Sequence, residues 1–514
     1  MHSLTTKIWT NIRSAISNAA PAFRSALTLA VVSATLLIAA RPAQSQTEDV
    51  LYSFTGTSDG AQPTSSLTLN PTNGNLYGTT YDGGLGFGTV YQLSPNGTGG
   101  WAETTLYSFC QSSGCPDGQN PTYSSVIFDS NGNLYGTAFG GGANGDGVVW
   151  ELSNSSGVWT ETVLHSFTNA PDGANPGTSL VMDTAGNLYG ITFAGGSGNG
   201  KGCVFELSPS ASGWTEQVIY NINSTHAGIT LGPTGTIYGS TFTTIFQLTN
   251  GASGWTPTTL FTFTTAATQG NEPVGNLALD KAGNIYGATE AGGANNKGVV
   301  FKLTAAATTP WTQTLLFSFG GQAVYGPNGA TPFSGPVLDA SGNIYGTTQA
   351  GGIKGAGTVY ELAETANGKG PYKEHVVYNF NGTTGAEPKA SLILDSSGYL
   401  YGTTYLGGAN AEGAVFEANA HANITQTTMT ASPDPSVVGQ LVTFTATVTS
   451  AAGPPPNGEN VLFDKIGNAP LVNGVATFQT KKLPVGNIRT SATYAGDINF
   501  TSTSSPKMEM VVKQ

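Results

Sequence analysis

Seven times along this 514-residue chain a tyrosine follows leucine or isoleucine and precedes glycine, at Tyr77, Tyr135, Tyr189, Tyr238, Tyr286, Tyr345 and Tyr401. The steps between them are 58, 54, 49, 48, 59 and 56 residues. Recurrence at such a period means one supersecondary unit copied, because each copy can bury its apolar face only against a neighbour. Every copy carries four strand-like runs; in the first they cover 66–69, 75–80, 88–93 and 101–109. In the third and fourth runs apolar and polar residues alternate with the period of two that a half-buried strand requires. Four antiparallel strands repeated seven times predict an all-β fold, a seven-bladed β-propeller. Composition agrees: 71 glycines and 10% aromatic residues, with only 9% charged, suit short strands joined by tight turns.

Loop lengths order the strands. Tight hairpins such as 129–133 join the first and second runs, and the longest connection comes after the fourth. The fourth run is therefore outermost and the first lines the axis. The chain enters with an orphan outer run, 50–54, while its last repeat, about 388–418, ends without one. Strand 50–54 is expected to complete that last blade and hide the ring's edges, giving a propeller over 46–420. A linker is expected at 421–424. From 425 to 514 the repeat vanishes, and runs at 441–448, 460–463, 475–478, 488–494 and 508–512 between Pro/Gly turns predict an immunoglobulin-like β-sandwich.

Residues 1–45 read as a secretory signal peptide. Lys7, Arg13 and Arg24 precede a 15-residue apolar core at 26–40, short of the roughly 20 residues a spanning helix needs. Small residues at Ala43 and Ser45 place cleavage after Ser45. The formal charge is −12; with the leader removed, 14 basic residues face 30 acidic ones, leaving −16 and no further transmembrane segment. Such a surface disfavours nucleic acid, whose phosphates need lysine and arginine to displace counterions. Cys110 and Cys115 share one loop and are expected to bridge in an oxidising compartment. Cys203 stands where other copies have Thr89 and Thr358, and reads as a small buried residue.

The units Gly132 to Thr137 (GNLYGT), Gly83-Gly84 and Gly88 to Leu93 (GTVYQL) resemble the GloVer tandem repeat of exported bacterial proteins, over about 50–420. That resemblance implies export and brings no activity with it. Ser432-Pro433-Asp434-Pro435, Gly439 to Phe444 and Tyr494 to Phe500 resemble the bacterial Ig-like repeats of surface and secreted proteins. Such proteins often end in an anchoring segment, whereas the sequence here stops at Lys513-Gln514 without an apolar tail.

Candidate sites arise from loops that share one face. The crossings between blades carry Asp59, Asp117 and Asp172, and the glycine-rich loops between second and third strands begin or end with residues such as Asp82 and Asp146. Directly after the Tyr-Gly-Thr strand stand Tyr81, Phe139, Phe193, Glu290, Gln349 and Tyr405. Aromatic faces beside carboxylates and amides can stack on a sugar and hydrogen-bond it, and function collects on loops that a rigid scaffold positions. The recurring Asp129, Asp183, Asp280, Asp339 and Asp395 open hairpins as turn residues. Each hairpin offers one carboxylate where calcium wants several oxygens, so no cofactor and no metal is expected. Glu151, Glu206 and Glu361 alternate away from the core and read as solvated strand positions. The fourth repeat has lost its Gly-Gly loop at 241–246 and carries His226 where others have Asp-Gly.

No nucleophile elbow, zinc motif or phosphate loop is present, so catalytic residues are not assigned. The repeated loops show no unique polar cluster, which favours a secreted or cell-surface binding or adhesion protein for polysaccharide or a surface protein. The alternatives are a glycan-active propeller lyase or hydrolase, and a purely structural display protein.

Overall fold

A computed structural model describes residues 50–97, 100–197, 200–222, 228–264, 269–320, 328–364, 372–420, 425–450, 453–496, 500–501 and 503–514. The leader, the linker at 421–424 and His226 lie outside them. Seven sheets succeed one another as propeller blades at 68–108, 127–166, 174–221, 229–262, 271–318, 337–379 and 393–419. Six run through their four strands in chain order from axis to rim, blade 3 with an added short strand at Ala174–Pro176. The seventh takes its outer strand from the start of the chain. Val50–Ser53 pairs antiparallel with Ala414–Asn419, placing Tyr52 opposite Val415 and Ser53 opposite Ala414. Among the described residues no helix is long and apolar enough to cross a membrane.

The C-terminal segment is an Ig-like sandwich. Seven strands from Thr425–Ser432 to Thr503–Ser504 form one ladder, and Ser436–Val437, Met508–Lys513 and Gly486–Thr490 form a second sheet. Phe444, Val461, Phe463, Leu471 and Tyr494 are buried between them. Strands at Thr425–Ser432 and Gly467–Val472 were not among the sequence-predicted runs; threonine and proline dilute their apolar alternation.

The Tyr-Gly-Thr strand repeats because each of its residues meets a different demand. A side chain on Gly78 would collide with the ring of Tyr91 on the neighbouring strand. The same ring-over-glycine arrangement joins Gly136 to Trp150, Gly190 to Phe205, Gly239 to Phe246, Gly287 to Phe301, Gly346 to Tyr360 and Gly402 to Phe416. The threonine hydroxyl reaches the segment leading into the next blade's inner strand: Thr79 to the Ser124 carbonyl (3.1 Å), Thr347 to Ala390 (3.3 Å) and Thr403 to Ser65 (3.0 Å). The last of these crosses the seam between the chain's two ends of the ring. The tyrosine rings are buried against the next blade, Tyr77 edge-on to Phe128 at 5.0 Å.

Tyrosine hydroxyls then need acceptors where their stems are buried, which corrects the reading of the strand glutamates as solvated. Glu206 accepts from Tyr189 (3.2 Å) and from the Trp255 indole of the next blade (2.9 Å). Glu361 accepts from Tyr345 (3.1 Å) and lies 3.2 Å from His375 Nδ1. Glu151 is likewise held in contact with Tyr135. The hairpin aspartates are turn residues throughout: Asp129 Oδ1 accepts from the amides of Asn131 (2.8 Å) and Asn133 (2.9 Å), and Oδ2 from the Asn133 side chain (2.9 Å).

Ring closure rests on the aromatic seam. The buried Phe54 lies edge-on at 5.0 Å to Tyr91 of blade 1, as Phe380 does to Phe416 at 4.9 Å, and Phe109 packs tilted on Trp150 at 5.7 Å. Replacing Phe54 with alanine removes this packing and leaves a cavity, so stability should fall by about 3–5 kcal/mol. Hydrogen exchange should lose protection first at 414–419, the partner of the N-terminal strand. Uniform protection in that variant would show that the strand does not hold the ring.

Candidate ligand-binding site

Six crossings between blades pass, among the described residues, through a strap residue in the left-handed region, namely Gln62, Asn120, Asn175, Glu272, Thr331 and Glu387 at φ 56, 53, 56, 60, 52 and 53°. That conformation costs energy outside glycine, and backbone hydrogen bonds, joined by side-chain bonds at the asparagines, offset it. The amide donates to a carbonyl in the preceding blade's loop: Gln62 to Glu412 (2.7 Å), Asn120 to Phe87 (2.7 Å), Asn175 to Asp146 (2.7 Å) and Thr331 to Lys297 (2.8 Å). The carbonyl receives the amide of the residue just after the Tyr-Gly-Thr strand, Tyr81 for Gln62 (3.2 Å) and Tyr405 for Glu387 (3.2 Å). Asn120 and Asn175 add side-chain bonds to the carbonyls of Tyr81 (3.0 Å) and Phe139 (3.1 Å). The backbones of the predicted aromatic residues are thus fixed from two crossings.

A proline succeeds each strap residue, and the next side chain enters the channel. Thr64, Tyr123, Gly177, Phe333 and Lys389 line a cavity of about 60 Å³ there, with Phe193. Tyr123 belongs to blade 2 and Phe333 to blade 6, yet their ring centroids are 5.8 Å apart. Blades so far apart in a ring of seven meet only across the axis, so this pair closes the channel. Blade 2 reaches that far through one extra residue, Pro121-Thr122-Tyr123-Ser124 against Pro63-Thr64-Ser65, with Tyr123 at φ 54°.

Around this floor the mouth is chemically uneven. Burial raises the Tyr123 hydroxyl above its ordinary range, helped by Tyr405, Glu290 and Tyr81. Tyr405 is raised by burial and by Tyr81, Glu387 and Asp82. The Lys389 ammonium lies 3.7 Å from the centroid of the Tyr405 ring and 3.3 Å from Glu387 Oε2. Gln349 donates to the same Glu387 oxygen (3.3 Å). Phe139 and Phe193 pair edge-on at 6.3 Å. Of the sequence-predicted residues, Tyr81, Glu290, Gln349 and Tyr405 come together here, and Phe193 carries the Phe139 pair to the cavity. Tyr123, Phe333, Glu387 and Lys389 were missed; aligning the crossings on their prolines would have exposed them. Asp82 caps its own loop through the Gly83 amide (2.9 Å), and Asp146 takes part through its backbone. Blade 4 turns tightly at Thr241, whose amide bonds the Thr244 carbonyl (2.8 Å), and leaves Phe242 exposed.

The crossing aspartates are engaged by their own blade. Asp59 accepts from the Tyr52 hydroxyl (2.9 Å), the Thr55 amide (2.8 Å) and the Thr55 hydroxyl (2.5 Å). Asp117 accepts from Tyr107 (2.8 Å) and the Gln111 amide (3.1 Å), and Asp172 lies 3.1 Å from His165 Nε2. Each clasps the outer strand to the crossing. The sequence shows the pairing from the other side: opposite Phe261 and Phe317, which have no polar tip, stand Gln269 and Asn328. Cys110 and Cys115 form a disulfide in the loop leading to Asp117, and Cys203 is free and buried.

Four outer-strand glutamates titrate unusually. Burial, then the crossing aspartates, push Glu161 and Glu216 up to about 7. Glu103 reaches about 7 by burial and Asp59, against a bond from Thr105, and burial alone takes Glu374 to about 8. A carboxyl whose folded value exceeds its unfolded value favours the protonated fold. This stability is complete below about pH 4.5 and is lost as pH climbs through 7–8. His165, lowered by burial against the pull of Asp172, acts oppositely as pH falls through 6.5, one group against four. The Tm should therefore be higher at pH 5.5 than at pH 8. Glu374→Gln should raise the pH 8 value by about 2 °C and leave the other nearly unchanged. A Tm falling steadily from pH 8 to 5.5 would contradict this balance.

The Gloeobacter/Verrucomicrobia repeat matches residues 36–243 and 234–451, and the bacterial Ig-like domain (group 3) matches 429–513. No curated protein sequence matches the chain. Among solved structures, virginiamycin B lyase from Staphylococcus aureus is 14% identical at a TM-score of 0.43, over 70% of this chain and 95% of that one. The extracellular domain of the one component system BT4673 from B. thetaiotaomicron is 14% identical at 0.44, over 89% of this chain and 56% of that one. PorZ, a surface component of the type-IX secretion system of Porphyromonas gingivalis, is 15% identical at 0.42, over 87% and 59%. The chain thus spans less than two thirds of the last two. By the repeat that covers most of its length, this chain belongs to the Gloeobacter/Verrucomicrobia repeat family and carries a bacterial Ig-like domain behind it.

Proposed function

We propose that the chain is an exported, non-enzymatic binding protein that takes an extracellular ligand at the mouth of the propeller channel, with the Ig-like domain as a spacer. One observation carries this reading. The repeats agree in core and seam, yet the mouth is asymmetric: Tyr81 and Tyr405 recur there, as do Phe139 and Phe193, while Tyr123, Glu290, Phe333, Gln349 and Lys389 have no equivalent in the other blades. A scaffold copied for stability gains nothing from such divergence, whereas a ligand needs one asymmetric set of contacts. Aromatic faces beside carboxylates and an amide suit a polysaccharide, or a surface protein that presents similar groups.

A glycan-active enzyme is the second reading, and it draws on Glu290 and Glu387, two carboxylates at one mouth. Binding of the full chain to an array of polysaccharides and surface proteins tests both. A hit that weakens at least tenfold in Tyr81→Ala and Tyr405→Ala, with Tm preserved, supports the mouth. A hit that is also turned over selects the enzyme. Binding indifferent to both substitutions removes the mouth as the site.

A further inference from the structure

The mouth holds an ammonium-binding arrangement that the chain itself fills. Lys389 places its charge 3.7 Å from the Tyr405 ring centroid and 3.3 Å from Glu387 Oε2, a cation shared between a π-face and a carboxylate. A second tyrosine–glutamate pair lies beside it without a cation. Glu290 is half-buried at the end of its strand, and among the described residues no hydrogen bond or ion pair reaches its carboxylate. Tyr123 lies within electrostatic reach of Glu290, Tyr405 and Tyr81, and packs on Phe333. Desolvation penalises a lone charge, so a partly buried carboxylate gains from a cation placed beside it. Burial raises the Glu290 carboxyl above its ordinary range.

We infer that the mouth recognises a protonated amine on a sugar ring, with Glu290 as counter-ion, the tyrosines Tyr81, Tyr123 and Tyr405 as its aromatic walls, and an amino-sugar chain as the ligand. This rests on the reading of the mouth as the binding site. Glu387 already pairs Lys389, while Glu290 and Asp82 add carboxylates around the tyrosines, a balance that disfavours uronic and other anionic sugars. A saccharide fits better than a lysine side chain because the Phe139–Phe193 pair extends the aromatic surface beyond the floor. A pyranose chain covers such a surface with ring after ring, while one lysine fills only the Glu290 corner.

Calorimetry of the full chain with a glucosamine tetramer, its fully N-acetylated counterpart and tetralysine tests the inference. The free-amine tetramer should bind at least tenfold tighter than the acetylated one at pH 6.5 and low salt. Glu290→Gln should erase that difference without weakening the acetylated tetramer, and Glu290→Asp should restore part of it, which separates a lost counter-ion from a damaged fold. Equal binding of the two tetramers, lost in Tyr81→Ala, overturns the amine and leaves the mouth as a neutral-glycan site. Tetralysine binding as tightly as the glucosamine tetramer overturns the saccharide. Absence of binding to all three overturns the inference, and the array experiment then decides whether the mouth binds anything else.

Discussion

A large ring laid over a glycine, and clamped from outside by the phenylalanine of the previous blade, is the interaction on which the propeller depends. Tyr91 over Gly78 with Phe54 behind it recurs as Trp150 over Gly136 with Phe109, and as Phe416 over Gly402 with Phe380. The glycine brings strand and ring into contact, and the phenylalanine makes each blade's core incomplete without its neighbour. A unit built this way cannot stand alone. It must be stacked until the chain closes, and the one unpartnered outer strand sits at the N-terminus to pair with Ala414–Asn419.

Because stability is generated between blades, the residues at the channel mouth are released from packing duty. The strap residues fix backbone there at considerable local cost, in a left-handed conformation held by bonds to two blades. The side chains projecting from that backbone are free to differ. Phe333 and Lys389 directly follow a crossing proline and Tyr123 stands one place further, so two aromatic rings and an ammonium meet at the same axis. The outer rim obeys another logic. There aspartate stands where the outer strand offers a polar tip, as Asp59, Asp117 and Asp172 do for Tyr52, Tyr107 and His165, and gives way to Gln269 and Asn328 opposite Phe261 and Phe317.

The core was legible in the sequence because period and alternation are local properties. Leu-Tyr-Gly-Thr announces a strand wherever it stands, and the tight Asp-x-x-Gly turns reveal their geometry within five residues. Misreadings arose where the partner is distant in sequence. Glu206 alternates outward on its strand as a solvated residue does, yet its acceptor role depends on Trp255, 49 positions later. The aromatic set Tyr81, Glu290 and Tyr405 was visible from its place after the strand, while Tyr123 and Phe333 were hidden in crossings of unequal length. Their contact spans the axis, which no repeat alignment measures.

By itself the sequence determined the class of fold, the repeat count, the strand order within a blade and the C-terminal sandwich, since each of these is written in spacing, turn residues and alternating burial. Only the tertiary structure decided which loop residues share a site. A ring brings residues hundreds of positions apart to one axis, so Tyr81 and Tyr405 become neighbours, and a lysine and two glutamates acquire opposite circumstances. Lys389 is satisfied by Glu387 and Tyr405; among the described residues no ion pair reaches Glu290. That difference is a matter of distance and desolvation, and neither exists until the ring has closed.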